Sequence, residues 1–86
     1  RSPKPLFMVR NVRVEGPPRI IKERHLKLRI RDGDSRAEAI WFGHAEKAEL
    51  FSGKPKSWDL ACHARINDYN GIRSIELQMK DIREAE

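Results

Sequence analysis

The chain has one cysteine, Cys62, and with it almost no capacity for disulfide or thiolate chemistry. A lone cysteine excludes an internal disulfide and leaves no cluster for a structural zinc; it suits a reducing cytoplasm, which is the expected location. Long apolar runs are absent too. No stretch approaches the ~20 apolar residues that span a bilayer, and neither end carries a charged-then-apolar signal segment, so no membrane is expected as a partner. The three histidines, His25, His44 and His63, are widely separated and lack clustered carboxylates, which argues against a metal site. Asp32 and Asp34 flank a turn, where acidic side chains cap backbone amides, and Ser, Cys and His form no nucleophilic arrangement. With 86 residues the chain fits one small domain with a single core and no room for a second domain bearing a catalytic cleft. The chain alone is therefore not expected to be an enzyme, and it begins at Arg1 as a domain cut from a longer protein would.

What is present is positive charge, unevenly placed. Residues 1–31 hold ten Lys/Arg and two acids, a balance of +8, whereas residues 32–86 hold eight Lys/Arg and eleven acids, a balance of −3. The positive field thus belongs to the first two strands and the segment joining them, the asymmetry expected of a polyanion binder; the plain alternative is a solvated basic surface.

Alternation at period two marks the strands. Leu6 to Val14 reads as a first strand ending at Gly16-Pro17-Pro18, after which residues 16–24 form a long connection or an irregular edge extension through Ile20-Ile21. His25 to Arg31 is the clearest strand, with Leu26, Leu28 and Ile30 on one face and His25, Lys27, Arg29 and Arg31 on the other. Asp32-Gly33-Asp34-Ser35 is a turn, and Arg36 to Phe42 a third strand. Its facing has two solutions: Ile40 and Phe42 inward with Trp41 outward, or Trp41 inward with Ala37 and Ala39. The first is preferred because it buries two large apolar groups. His44 to Phe51 has the composition of a short helix of about two turns, whose Ala45, Ala48 and Phe51 can plug one end of a sheet. Trp58 to Ile66 is a fourth strand with Leu60, Cys62, Ala64 and Ile66 inward, and Trp58 reads as core or as a lid over the barrel end. Asn67-Asp68-Tyr69-Asn70-Gly71 then leads into a fifth strand through Ser74 to Ile82, with Ile75, Leu77 and Met79 inward. Val12, Val14, Leu26, Leu28, Ile30, Ile40, Phe42, Leu60, Cys62, Ile66, Ile75, Leu77 and Met79 make the expected core. Three strands, a helix and two strands is the order of the all-β, five-stranded OB-fold barrel with a short helix between strands 3 and 4; an SH3-like barrel does not usually place a helix there.

Three segments carry a resemblance to a known family: His25-Leu26-Lys27-Leu28-Arg29, Ala39-Ile40-Trp41-Phe42-Gly43, and Asn67-Asp68-Tyr69-Asn70-Gly71 running on through Ser74 to Ile82. In this order and spacing, across most of residues 25–82, the chain resembles the OB-fold domain of RecJ, the bacterial single-strand-specific DNA exonuclease. It departs from the family pattern at Pro17 to Arg24, which is longer than the usual short turn. The resemblance implies a single OB-fold domain over residues 1–86, a non-catalytic module of a single-strand-specific 5'-3' exonuclease. Manganese or magnesium is then expected only in separate catalytic domains, whose Asp-His-His motif is absent here.

OB barrels bind nucleic-acid strands across strands 2 and 3, gripped by the loops joining strands 1–2 and 4–5. Lys27, Arg29 and Arg31, with His25, are placed to track phosphates; Arg19, Lys22 and Arg24 extend the field along the first loop; Trp41 and Tyr69 offer faces for unstacked bases; Arg73 reaches the same edge. Tyr69 has the structural alternative of packing over its neighbouring strand. Single-stranded DNA is the expected partner, RNA using the same surface being indistinguishable by sequence, with the catalytic domains of the same chain as a further partner. The alternative function is a structural or protein-interaction element that braces those domains or docks a partner.

Overall fold

Leu26, Leu28 and Ile30, alternating with charged neighbours, set the inside of a barrel. In the computed structural model, which describes residues 4–86, they lie on β2 (His25–Asp32), between β1 (Phe7–Ile21) and β3 (Ser35–Trp41); a 3-10 helix (Ala45–Phe51) precedes β4 (Ser57–Tyr69) and β5 (Ile72–Glu84). The strands close in the order β1-β2-β3-β5-β4, antiparallel except for the β3-β5 pair. This is the five-stranded OB barrel, with its helix between the third and fourth strands.

The core gathers Val12, Leu26, Leu28, Ile30, Ala39, Trp41, Trp58, Leu60 and Met79. Complete burial of a leucine side chain contributes about 1.5–3 kcal/mol, and Leu26, Leu28 and Leu60 are all completely buried. Ala48 and Phe51 of the helix pack on this cluster, with the Phe51 ring edge-on to Trp58 at 5.2 Å, so the helix stoppers one barrel end as its composition predicts. Cys62 is fully buried, and burial pushes its thiol up, away from the reactive thiolate.

The facing of β3 is opposite to the preferred expectation. Leu26 pairs with Trp41, Leu28 with Ala39 and Ile30 with Ala37, so Trp41 and the two alanines share the inner face. Trp41 is 4% exposed, and Phe42 is 38% exposed on the outside. A narrow barrel interior favours small residues opposite large ones, and Ala37 and Ala39 give Ile30 and Leu28 that space. Ile40 is buried as expected, although on the outer side, where it pairs with Lys27 and Gln78.

β1 does not end at its prolines. Its pairing with β2 lapses between Glu15 and Arg19, where Pro17 and Pro18 have no amide to donate, and resumes as Arg19 with Lys27, Ile20 with Leu26 and Ile21 with His25. The connection is only the three-residue turn Lys22-Glu23-Arg24 between paired Ile21 and His25, in which the Arg24 amide donates to the Ile21 carbonyl (3.1 Å).

β4 and β5 run beyond the barrel as a two-stranded arm. Its turn is Asn70-Gly71 alone, between paired Tyr69 and Ile72; the positive φ values of 51° and 77° are those a two-residue hairpin turn demands. Ile66 and Ile75, expected in the core, pair with each other on this arm and are 64% and 65% exposed. The alternation that places Cys62 inside continues past the rim, where no barrel wall faces it.

Candidate nucleic-acid interface

Side chains alternate across a strand, so strand register dictates which charges meet on the outer face. One row runs Glu15, Arg29, Glu38, Glu76, Arg65 across β1, β2, β3, β5 and β4; the next runs Arg19, Lys27, Ile40, Gln78, His63. Arg13, Arg31 and Arg36 form a third row over β1 to β3. The cations outnumber the acids, yet every acid is engaged twice. Glu15 meets Arg31 (3.2 Å) and Arg36 (2.9 Å). Glu38 is ion-paired with Arg19 and with Arg29 (3.2 Å). Glu76, 5% exposed, lies between Lys27 (3.1 Å) and Arg65 (3.8 Å).

The hydrogen bond from Arg36 is the main reason the Glu15 carboxyl lies below the usual range, and the same contact raises the Arg36 guanidinium above its own. Burial pushes Glu38 upward, but hydrogen bonds from Arg19 and Arg29 more than offset this and hold it low. Both acids are therefore ionised partners of the arginines at neutral pH.

Of the residues expected at this face, Arg19, Lys27, Arg29 and Arg31 come together on it. His25 stands at its end with a structural engagement: Nδ1 accepts the Gly43 amide (2.9 Å), and the ring meets Phe42 edge-on at 5.3 Å. Lys22 and Arg24 are exposed at the β1-β2 turn, beyond the paired rows. Tyr69, 76% exposed, does not pack over the next strand; it extends the Arg65 side of β4 onto the arm. Arg73 lies on the arm's opposite face, opposite Asp68 in the register and paired with it at 3.0 Å. Trp41 is the clear correction, because it is buried in the core and stacked against His44 at 4.5 Å and cannot present a face to a base.

Sequence reasoning missed Phe42, Arg13, Arg36, Arg65 and all three acids. Phe42 is an aromatic of the outer face, with the Arg65 guanidinium 5.1 Å from its ring centre. The β2-β3 turn carried the signal: with Gly33-Asp34 as a two-residue loop, Asp32 must face Ser35 and Leu26 must face Trp41, which turns Phe42 outward. Among the described residues there is no cluster of metal-binding side chains. A cleft of about 810 Å³ lies at the helix-covered end beside Trp41, His44 and Trp58 and includes none of the outer-face cations.

The RecJ OB domain family model matches residues 1–81 of the chain. No curated protein matches it. Among solved structures it is similar to the mitochondrial single-stranded DNA binding protein of S. cerevisiae, at 13% identity and a TM-score of 0.68 over 95% of this chain and 94% of that one. A selenomethionine-labelled form of the same yeast protein gives 16% identity and a TM-score of 0.61, with 96% of each chain covered. At these identities the likeness is one of fold.

Proposed function

The chain belongs to the RecJ OB domain family, and from that premise we propose that it is the non-catalytic, single-stranded-DNA-holding module of a RecJ-like 5'-3' exonuclease of the cytoplasm. The observation that carries this reading is the convergence of Arg13, Arg19, Lys27, Arg29, Arg31, Arg36 and Arg65 with Phe42 on one sheet face. Guanidinium groups on neighbouring strands suit a phosphate backbone, and an exposed ring suits an unstacked base. Among the described residues none forms a set of base-edge readers, and in this reading the module holds strands with little sequence preference. The likeness in fold to a single-stranded DNA binding protein supports DNA over RNA. Manganese or magnesium chemistry belongs to the catalytic domains, which in this reading are a second partner.

The test is a fluorescence-anisotropy titration with labelled oligothymidine, at low and moderate salt, against oligouridine and the matching duplex. Binding should favour the DNA single strand and weaken linearly in log salt, because each phosphate contact releases counterions. A second reading, a docking element for another part of the longer chain, is favoured by Ile66, Ile72 and Ile75, which stand exposed on the arm. Failure of the folded domain to bind any single strand at low salt would transfer the weight to it.

A further inference from the structure

Two carboxylates of the outer face differ from the third in a way that bears on how a strand enters. Glu15 and Glu38 side chains are about one-third exposed, at 33% and 35%, whereas Glu76 is sealed at 6% between Lys27 and Arg65. Glu76 is an anchor of the sheet. Glu15 and Glu38 stand instead at the surface, each bridging two arginines from different strands: Arg31 and Arg36 around the first, Arg19 and Arg29 around the second. In register, Glu15 is opposite Arg29, which is opposite Glu38. The two acids are thus two strand spacings apart, about 9.5 Å, with a guanidinium between them. A guanidinium engages a carboxylate and a phosphate with the same planar fork of donors, so an anionic oxygen pair already fills each place where two arginines converge.

We propose that Glu15 and Glu38 are built-in competitors for phosphate, occupying two phosphate seats of the face and displaced from their arginines when a strand binds. This rests on the nucleic-acid reading above. The exchange has two consequences. In the free domain the carboxylates hold four long arginine side chains converged and facing outward, instead of letting mutual repulsion splay them. On binding, the freed carboxylates take up cations from solution and so cancel part of the counterion release, which leaves the strand held less tightly and less salt-dependently than the count of arginines implies. A module that hands a strand through to a neighbouring domain needs a grip of that kind.

The experiment compares oligothymidine binding by the wild-type domain, Glu15→Gln, Glu38→Gln and the control Glu84→Gln. Glutamine keeps the size and one acceptor but removes the charge. Glu84 lies near the C-terminal end of β5, 3.7 Å from Lys56, so its variant makes the same change in net charge away from the outer face. Each seat variant should bind about two- to fivefold more tightly at low salt, the range expected when the two weak, exposed ion pairs of one carboxylate are removed. Its log-log salt slope should steepen by up to about 0.7. Glu84→Gln should stay near wild type. Equal or weaker binding by both seat variants, or equal tightening by Glu84→Gln, overturns the inference while leaving the binding face in place. If neither wild type nor any variant binds at low salt, the nucleic-acid reading itself fails, and this inference with it.

Discussion

Phe42 and Trp41 are neighbours in the chain with opposite duties. The Trp41 ring closes the core against Leu26's strand, and Phe42 stands half-exposed between His25 and Arg65. Base stacking on an aromatic contributes about 1–3 kcal/mol, so Phe42→Ala should weaken oligothymidine binding by about five- to 150-fold with little change in the urea midpoint. Trp41→Phe, which keeps a ring in the core, should bind as wild type does while unfolding at lower urea. Lost binding in Trp41→Phe alongside an unchanged Phe42→Ala would place stacking elsewhere. The two residues also mark how far the sequence could be read. Alternation on β2 made its inner and outer faces legible, because apolar and charged residues separate cleanly there. On β3 both faces carry large apolar groups, Ile40 and Phe42 against Trp41, and counting buried volume favoured the wrong one. What decides is the space inside a small barrel, which a strand considered alone does not contain. Arg65 was legible in principle, since Cys62 and Ala64 inward imply it outward.

Two hairpin turns that both pass through positive φ were unequally legible for a physical reason. Asn70-Gly71 are the residue types that tolerate positive φ, and the turn is readable on sight. Lys22-Glu23 adopt φ values of 53° and 60° with side chains that resist them. Nothing local announces that turn. It is imposed by the register that brings Ile20 to Leu26 and Ile21 to His25, with the Ala45 amide bonded to the Arg24 carbonyl (3.1 Å) holding it to the helix. A left-handed conformation costs a residue with a Cβ about 1–2 kcal/mol, and glycine gives back about 0.5–1 in unfolded-chain entropy. Glu23→Gly should therefore stabilise the domain by about 0.5–1 kcal/mol, read as a higher urea midpoint at unchanged slope. Gly71→Ala should destabilise it by about 1 kcal/mol for the same backbone reason, because no atom lies within 4 Å of the added methyl. A stability loss in Glu23→Gly would mean that the side chain contributes more than the turn strain costs. The arm beyond the barrel was legible as a hairpin but not as an arm: Ile66 and Ile75 continue the inward pattern faithfully, and only the barrel's finite height leaves them outside.

For the whole molecule, a formal charge of +5 on a small barrel is held together by acids placed among the cations. Glu15 and Glu38 do this on the outer face, and Asp59 does it at the barrel wall. Asp59 accepts the amide of Asn11 (2.9 Å), which at φ 57° forms the break in the β1-β4 pairing, and receives Arg83 Nε at 3.1 Å. The Asn11 hydrogen bond first, and the Arg83 contact after it, hold the Asp59 carboxyl below its ordinary 3.8. Glu15 and Glu38 lie below their ordinary 4.5. A carboxyl depressed in the folded state binds its proton less readily there than in the unfolded chain. Its contribution to stability is therefore complete above the unfolded value and is lost as pH falls through the folded one. All three groups act in the same direction, and every proton gained also adds to a net charge that is already positive. The thermal midpoint should hold nearly level from pH 7 to about pH 5 and fall steeply below about pH 4. Asp59→Asn keeps an oxygen for the Asn11 amide but removes the charge facing Arg83, so it should lower the neutral-pH midpoint and make the acid decline shallower. A wild-type profile that stays level down to pH 3, or an Asp59→Asn profile parallel to it throughout, would mean that these pairs are too well solvated to matter. The barrel would then rest on its core alone.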